Sequence, residues 1–209
     1  MPSQLFFPFT HLLFAPHCLG CRRKLPPGQD AFCRSCVRFF LGAPSLKGAL
    51  FEHSGPGRGF LRALRETAPE RAAAWGLALL DRRGQLARWK GQGVEVVLHA
   101  PQNPRRETSG LALLAEGVAR ALGALYVPRA FRKLGGRSQH GRILVSRMDT
   151  PCFLELAHPE RWVKGKRALV LDDVNTTGTT LDLCAYILRK AGASKVRRFA
   201  LAHQRMEDT

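Results

Sequence analysis

Ala168-Leu-Val-Leu-Asp172-Asp173-Val-Asn175-Thr176-Thr177-Gly178-Thr179-Thr180 reads, in order, as a buried strand, a pair of acids and a Thr/Gly loop. The run 168–171 is continuously apolar, as a parallel strand covered on both faces requires. Asp172 and Asp173 follow at its carboxyl end, where open α/β sheets bind ligands. Adjacent acids there can accept hydrogen bonds from two neighbouring hydroxyls, which is what a ribose presents. Thr176, Thr177, Thr179 and Thr180 offer hydroxyl donors, and Gly178 allows close approach to the backbone. Leu181, Cys184, Ala185 and Leu188 then recur at helical spacing, so the loop lies at a helix N-terminus, where free N–H groups and the dipole favour phosphate. A plain strand followed by a capped helix is the alternative. A cap needs one acceptor, which leaves an acid and most of the threonines without a purpose.

The segment resembles the 13-residue signature of type I phosphoribosyltransferases along its whole length, without a gap. The resemblance implies that Asp172 and Asp173 hold the 2′ and 3′ hydroxyls of phosphoribosyl pyrophosphate. It further implies that Thr176, Thr177, Gly178, Thr179 and Thr180 hold the 5′-phosphate, with Mg²⁺ accompanying the pyrophosphate.

Outward from the signature, the pattern alternates strand and helix. Val94 to Ala100 reads as a strand running into Pro101-Gln102-Asn103-Pro104-Arg105-Arg106, a second candidate phosphate loop. Residues 111–122 read as the following helix, 125–127 as a short strand and 195–203 as the last one. Upstream, 55–59 reads as a Gly-rich turn, with helices expected around Phe60, Leu61 and Leu64 and along the segment 71–89. The basic stretch 129–147, with Gly135 and Gly136, resembles a mobile lid. The expected fold class is α/β, a type I phosphoribosyltransferase-like parallel sheet with helices on both faces.

Cys18, Cys21, Cys33 and Cys36 form two Cys-x-x-Cys pairs eleven residues apart. Two such knuckles supply the four thiolates of a closed structural Zn²⁺ site, with no position left for an activated water. Disulfides are the competing reading; without a recognisable signal peptide the expected compartment is the cytoplasm, where paired thiols stay reduced. Cys152 and Cys184 are expected to be small apolar fillers, and His99 a packing residue rather than a base. This gives an expected division into a zinc-binding module with an aromatic flank, 1–42, and a phosphoribosyltransferase-like domain, 43–209, joined near 42–45.

A four-Cys module, a phosphoribosyltransferase-like body and a terminal Ala191-Gly-Ala-Ser-Lys195 turn together resemble the ComF family of competence proteins. Membership implies a role in natural transformation, handling single-stranded DNA in the cytoplasm beside a helicase-like partner. Against that family's pattern, Pro101 and Arg106 match the element after the first sheet strand, while Glu107, Thr108 and Ser109 replace its remainder. In the lid, Gln139 matches the family glutamine. Charge stabilisation of a departing pyrophosphate then falls to Arg106, Arg137 and the Gln102-Asn103 backbone. Whether the chain transfers the ribosyl group or only binds its ligand stays open on sequence grounds. A nucleobase-salvage phosphoribosyltransferase and a non-enzymatic DNA-binding module are the alternatives.

The composition fits these partners. Of 209 residues, 33 are Lys or Arg against 16 Asp or Glu, a formal charge of +17, and 25 of the cations are Arg. Such a field attracts polyanions without reading base sequence. The apolar N-terminal run 5–16 is interrupted by Pro8 and Pro16 and is expected to pack against the body rather than span a bilayer.

Overall fold

The computed structural model describes residues 16–26, 28–42, 46, 48–102, 109–134, 153–157 and 160–204. The N-terminal apolar run to residue 15, the 43–45 joint, the 103–108 loop, the part of the lid segment 129–147 beyond residue 134 and Cys152 lie outside the described residues; the start of that segment, 131–134, is a strand rather than irregular chain.

Five parallel strands form the central sheet: β1 (Ala49–Glu52), β2 (Val96–His99), β3 (Leu125–Tyr126), β6 (Arg167–Asn175) and β7 (Lys195–His203), in the spatial order β1-β7-β6-β2-β3. The two longest strands lie together, with Ala168 opposite Val196 and Asn175 opposite His203. A separate antiparallel pair, β4 (Phe131–Leu134) and β5 (Phe153–Leu156), flanks the lid region. Neither β1 nor this pair announces itself in the sequence, because each is only four residues long.

Alternation along the strands builds a core on each face. Leu169 and Leu171 of β6 join Val97 and Phe199 on one side; Ala168 and Val170 join Val96, Leu98 and Ala200 on the other. The second face is covered by α6 (Thr179–Lys190), whose Leu181, Cys184, Ile187 and Leu188 are buried. Cys184 is thus the apolar filler expected of it. On the first face lie α2 (Gly55–Arg62), α3 (Pro69–Arg82), α4 (Gln85–Gly91) and α5 (Gly110–Leu122).

Three sequence expectations need correction here. The Gly-rich stretch from Gly55 is not a free turn but the first part of α2, because Pro56 stands in the first turn, where a missing N–H costs nothing. The helical segment 71–89 is two helices, broken at Gly84, whose φ of +68° an L side chain would resist. The signature strand is longer than 168–171: it runs through both acids to Asn175.

The cysteine module carries its own helix, α1 (Arg34–Gly42), and shares the core of the body. Phe40 meets Phe51 with ring centroids 5.0 Å apart and Phe60 at 5.6 Å; Phe32 meets Trp75 edge-on at 5.1 Å. Each such pair adds roughly 0.5–1.5 kcal/mol to the burial of its rings. At the seam the backbone of Gly59 lies directly against that of Gly20, where a Cβ would overlap the Gly20 carbonyl. Side chains are excluded from that contact.

Candidate functional site

The carboxyl ends of β1, β6 and β7 open onto a cleft of about 520 Å³ lined by Asp172, Asp173, Thr176, Thr179, Thr180 and Gln102, with Arg65, His53 and Gln204 at its sides. The cleft gathers the acids and most of the loop residues singled out by sequence. Thr177 faces Thr179, their hydroxyls 2.8 Å apart, and Gly178 caps α6 with a φ of +81°. Asn103, Arg106, Arg137 and Gln139 lie outside the described residues.

Both acids are buried, Asp172 at 8% exposure and Asp173 at 6%. Burial, reinforced by the neighbouring Asp173 charge, pushes the Asp172 carboxyl up to about 7. Its Oδ1 accepts a 2.8 Å hydrogen bond from the Asp173 backbone N–H. Asp173 is held differently. Arg65 donates to it through Nε at 2.5 Å and Nη2 at 2.8 Å, the two-pronged geometry that suits guanidinium and carboxylate. The same contact with Asp173 holds the Arg65 pKa above its ordinary value.

Arg65 was not visible as a site residue in the sequence. It lies in a wide π-helical turn, Ala63–Thr67, in which the Ala68 N–H donates to the Ala63 carbonyl at 3.0 Å. The extra residue in this turn keeps Leu64 in the core while its neighbour reaches the sheet's carboxyl end. Its partner is 108 positions away, beyond any local pattern. His53 and Gln204 also escaped the sequence reading; they meet across the ends of β1 and β7, Nδ1 to Oε1 at 3.1 Å.

Beside the Thr loop, the side-chain oxygen of Asn175 is buried with no hydrogen-bond partner among the described residues. Asn175 lines the neighbouring pocket with Gly178 and Arg198, not this cleft. His99 is 6% exposed, its Nδ1 2.9 Å from the Ala100 carbonyl, and burial lowers its pKa. It is a packing residue.

The sulfurs of Cys18, Cys21, Cys33 and Cys36 all lie within 4.8 Å of one another, close enough to hold a metal ion. The Cys33 backbone N–H points at the Cys18 sulfur at 3.4 Å. Burial raises the Cys18 thiol, but backbone donors at Cys21, Cys33 and Gly20 outweigh it and bring the group down to about 7. Cys36 is pushed up, first by burial and then by its sulfur neighbours. No disulfide occurs among the described cysteines.

Comparison with known proteins gives residues 108–209 as a match to the family model of the phosphoribosyl transferase domain. Among solved structures, the chain is similar to the allosteric regulatory enzyme of purine biosynthesis, at 22% identity and a TM-score of 0.42 over 69% of this chain and 30% of that one. It is also similar to a purine phosphoribosyltransferase from Pyrococcus horikoshii, at 19% identity, a TM-score of 0.42 and coverage of 64% and 84%. A third is an adenine phosphoribosyltransferase from Rhodothermus marinus, at 17%, 0.43, and 65% and 80%. No curated protein matches the chain. The chain is an α/β protein with a type I phosphoribosyltransferase-like parallel sheet, preceded by four clustered cysteines. None of its described helices is long and apolar enough to cross a membrane.

Proposed function

We propose that the chain is a ComF-type protein of DNA uptake, which binds phosphoribosyl pyrophosphate or a related 5′-phosphosugar together with single-stranded DNA. The observation that carries the sugar-phosphate part is one cleft holding two buried acids beside a threonine loop at the amino end of α6. In this reading Asp172 and Asp173 take the ribose hydroxyls, and Thr176, Thr177, Gly178, Thr179 and Thr180 take the 5′-phosphate through their N–H and hydroxyl groups. Gln102, Asn103, Arg106, Arg137 and Gln139 serve the pyrophosphate. The carboxylates are hard oxygen donors of the kind Mg²⁺ accepts beside a substrate phosphate. Mg²⁺, when bound, neutralises charge on the pyrophosphate. Should transfer occur, the C1–O bond to pyrophosphate breaks as an incoming nucleophile bonds C1, and the buried acids steady the ribose.

The four thiolates suit a structural Zn²⁺. Tetrahedral zinc with bonds of about 2.3 Å needs sulfurs about 3.8 Å apart, and Cys21 and Cys33 are already 3.7 Å apart. In this reading residues 1–42 form the zinc module and 43–209 the phosphoribosyltransferase-like domain. The compartment is the cytoplasm, and a helicase-like competence protein is the partner.

Calorimetric titration with phosphoribosyl pyrophosphate and Mg²⁺ tests the cleft. Binding by the natural chain, lost in Asp172→Asn and Asp173→Asn variants that remain folded, is expected; unchanged affinity in both would refute the assignment. Pyrophosphate release that depends on a nucleobase would move the chain to the salvage enzymes instead.

A further inference from the structure

At the amino edge of the sheet, opposite the cleft, two aromatic side chains stand exposed among cations. Trp162 is 37% exposed and Tyr186 39%; with Leu41 they are the large apolar side chains left in solvent among the described residues. Each ring has a cation over it: the Arg161 guanidinium lies 5.5 Å from the Trp162 centroid and the Lys190 ammonium 5.7 Å from that of Tyr186. The two rings belong to one end of the molecule. The loop after Trp162 is tied to the end of α6, where the Gly165 N–H donates to the Gly192 carbonyl at 2.8 Å and the Ser194 N–H to that of Lys166 at 2.9 Å. Lys164, Arg189 and Lys195 are exposed on the same edge. None of these five cations meets a carboxylate among the described residues, and no acid occurs between Asp182 and Glu207.

Arg189 and Lys190 also complement the carboxyl end of the α6 dipole, which accounts for two cations. It does not account for Arg161, Lys164 or the exposed rings. A ring with a cation on one face offers its other face to a planar partner, and the cation beside it can meet a phosphate. Alternating aromatic faces and cations are what a single strand of nucleic acid uses: bases stack, phosphates pair with Lys and Arg. A duplex, whose bases are already stacked, gains nothing from the rings.

We infer that this edge, built on Trp162 and Tyr186, is a stacking platform for single-stranded DNA. The inference rests on the DNA-binding reading above and adds where the strand lies. α6 joins the two sites: its twelve residues place the Thr loop and Lys190 about 16–18 Å apart along the axis. DNA and phosphosugar therefore occupy opposite ends of one helix without competing.

Fluorescence anisotropy with a labelled oligo-dT strand tests this. Trp162→Ala and Tyr186→Ala are each expected to weaken binding by roughly 5- to 160-fold, the range for losing one stacked base, with phosphoribosyl pyrophosphate binding unchanged. Trp162→Phe should retain most of the affinity while losing the quenching of intrinsic fluorescence on binding, which a merely structural tryptophan would not show. If the natural chain binds no single-stranded DNA, the DNA reading itself falls. Platform and reading come apart when the natural chain binds but the double variant Trp162→Ala/Tyr186→Ala, folded by circular dichroism, binds equally well. Duplex bound as tightly as single strand, or RNA bound in place of DNA, also overturns the platform.

Discussion

The two acids of the cleft are chemically unlike, although they are neighbours in sequence. Asp173 is gripped by the two donors of the Arg65 guanidinium, whereas Asp172, buried beside a second carboxylate, is raised from 3.8 to about 7. Between those values the folded chain holds a proton on Asp172 that the unfolded chain has released, so stability falls as pH rises through this window and levels off above it. An isosteric amide removes that dependence while still accepting the Asp173 N–H. Asp172→Asn should therefore stabilise the ligand-free protein by on the order of a few kcal/mol at pH 8 and by less at pH 5, as read from urea midpoints. A gain of equal size at both pH values would contradict the raised pKa. The same variant should bind phosphoribosyl pyrophosphate poorly, so the group that weakens the empty fold serves the bound one.

Among the elements, the turn Ala63–Thr67 brings the Arg65 guanidinium to the cleft. Truncating Arg65 leaves Asp173 buried without its two donors, which costs about 1–3 kcal/mol; Arg65→Lys, which keeps the charge without the fork, should recover only part of it. Thermal unfolding of the two variants checks the order, and equal stability of all three proteins would mean the pair is idle. Sequence patterns reached the strand–loop–helix of the signature because its apolar run, acids, glycine and helical repeat are consecutive, and they reached β7 to its boundaries. They reached the cysteine quartet for the same reason, since the ligand spacing is local. Arg65, His53 and Gln204 stayed hidden because they join the cleft only through the fold. So did β1: four residues with a mostly buried pattern carry too little periodicity to separate strand from helix.

Across the whole molecule, the cysteine module and the sheet share one aromatic core. Phe32 and Phe40 sit among Phe51, Phe60 and Trp75, and the Gly20–Gly59 contact leaves no room for slippage. Loss of a metal held by the four sulfurs would consequently be felt as one event. Treatment with a chelator, or Cys36→Ser, is expected to lower the unfolding midpoint of the body along with the module in a single transition. Two separated transitions, with the body's midpoint unmoved, would show the shared core to be energetically silent. The continuity of α2 gives this coupling a direction: Phe60 touches the module's rings, and five residues later the same stretch of chain ends in the guanidinium that grips Asp173. An oxidant that pulled the sulfurs into disulfides would thus be expected to disturb the cleft without entering it, by loosening the lever on which Arg65 is mounted.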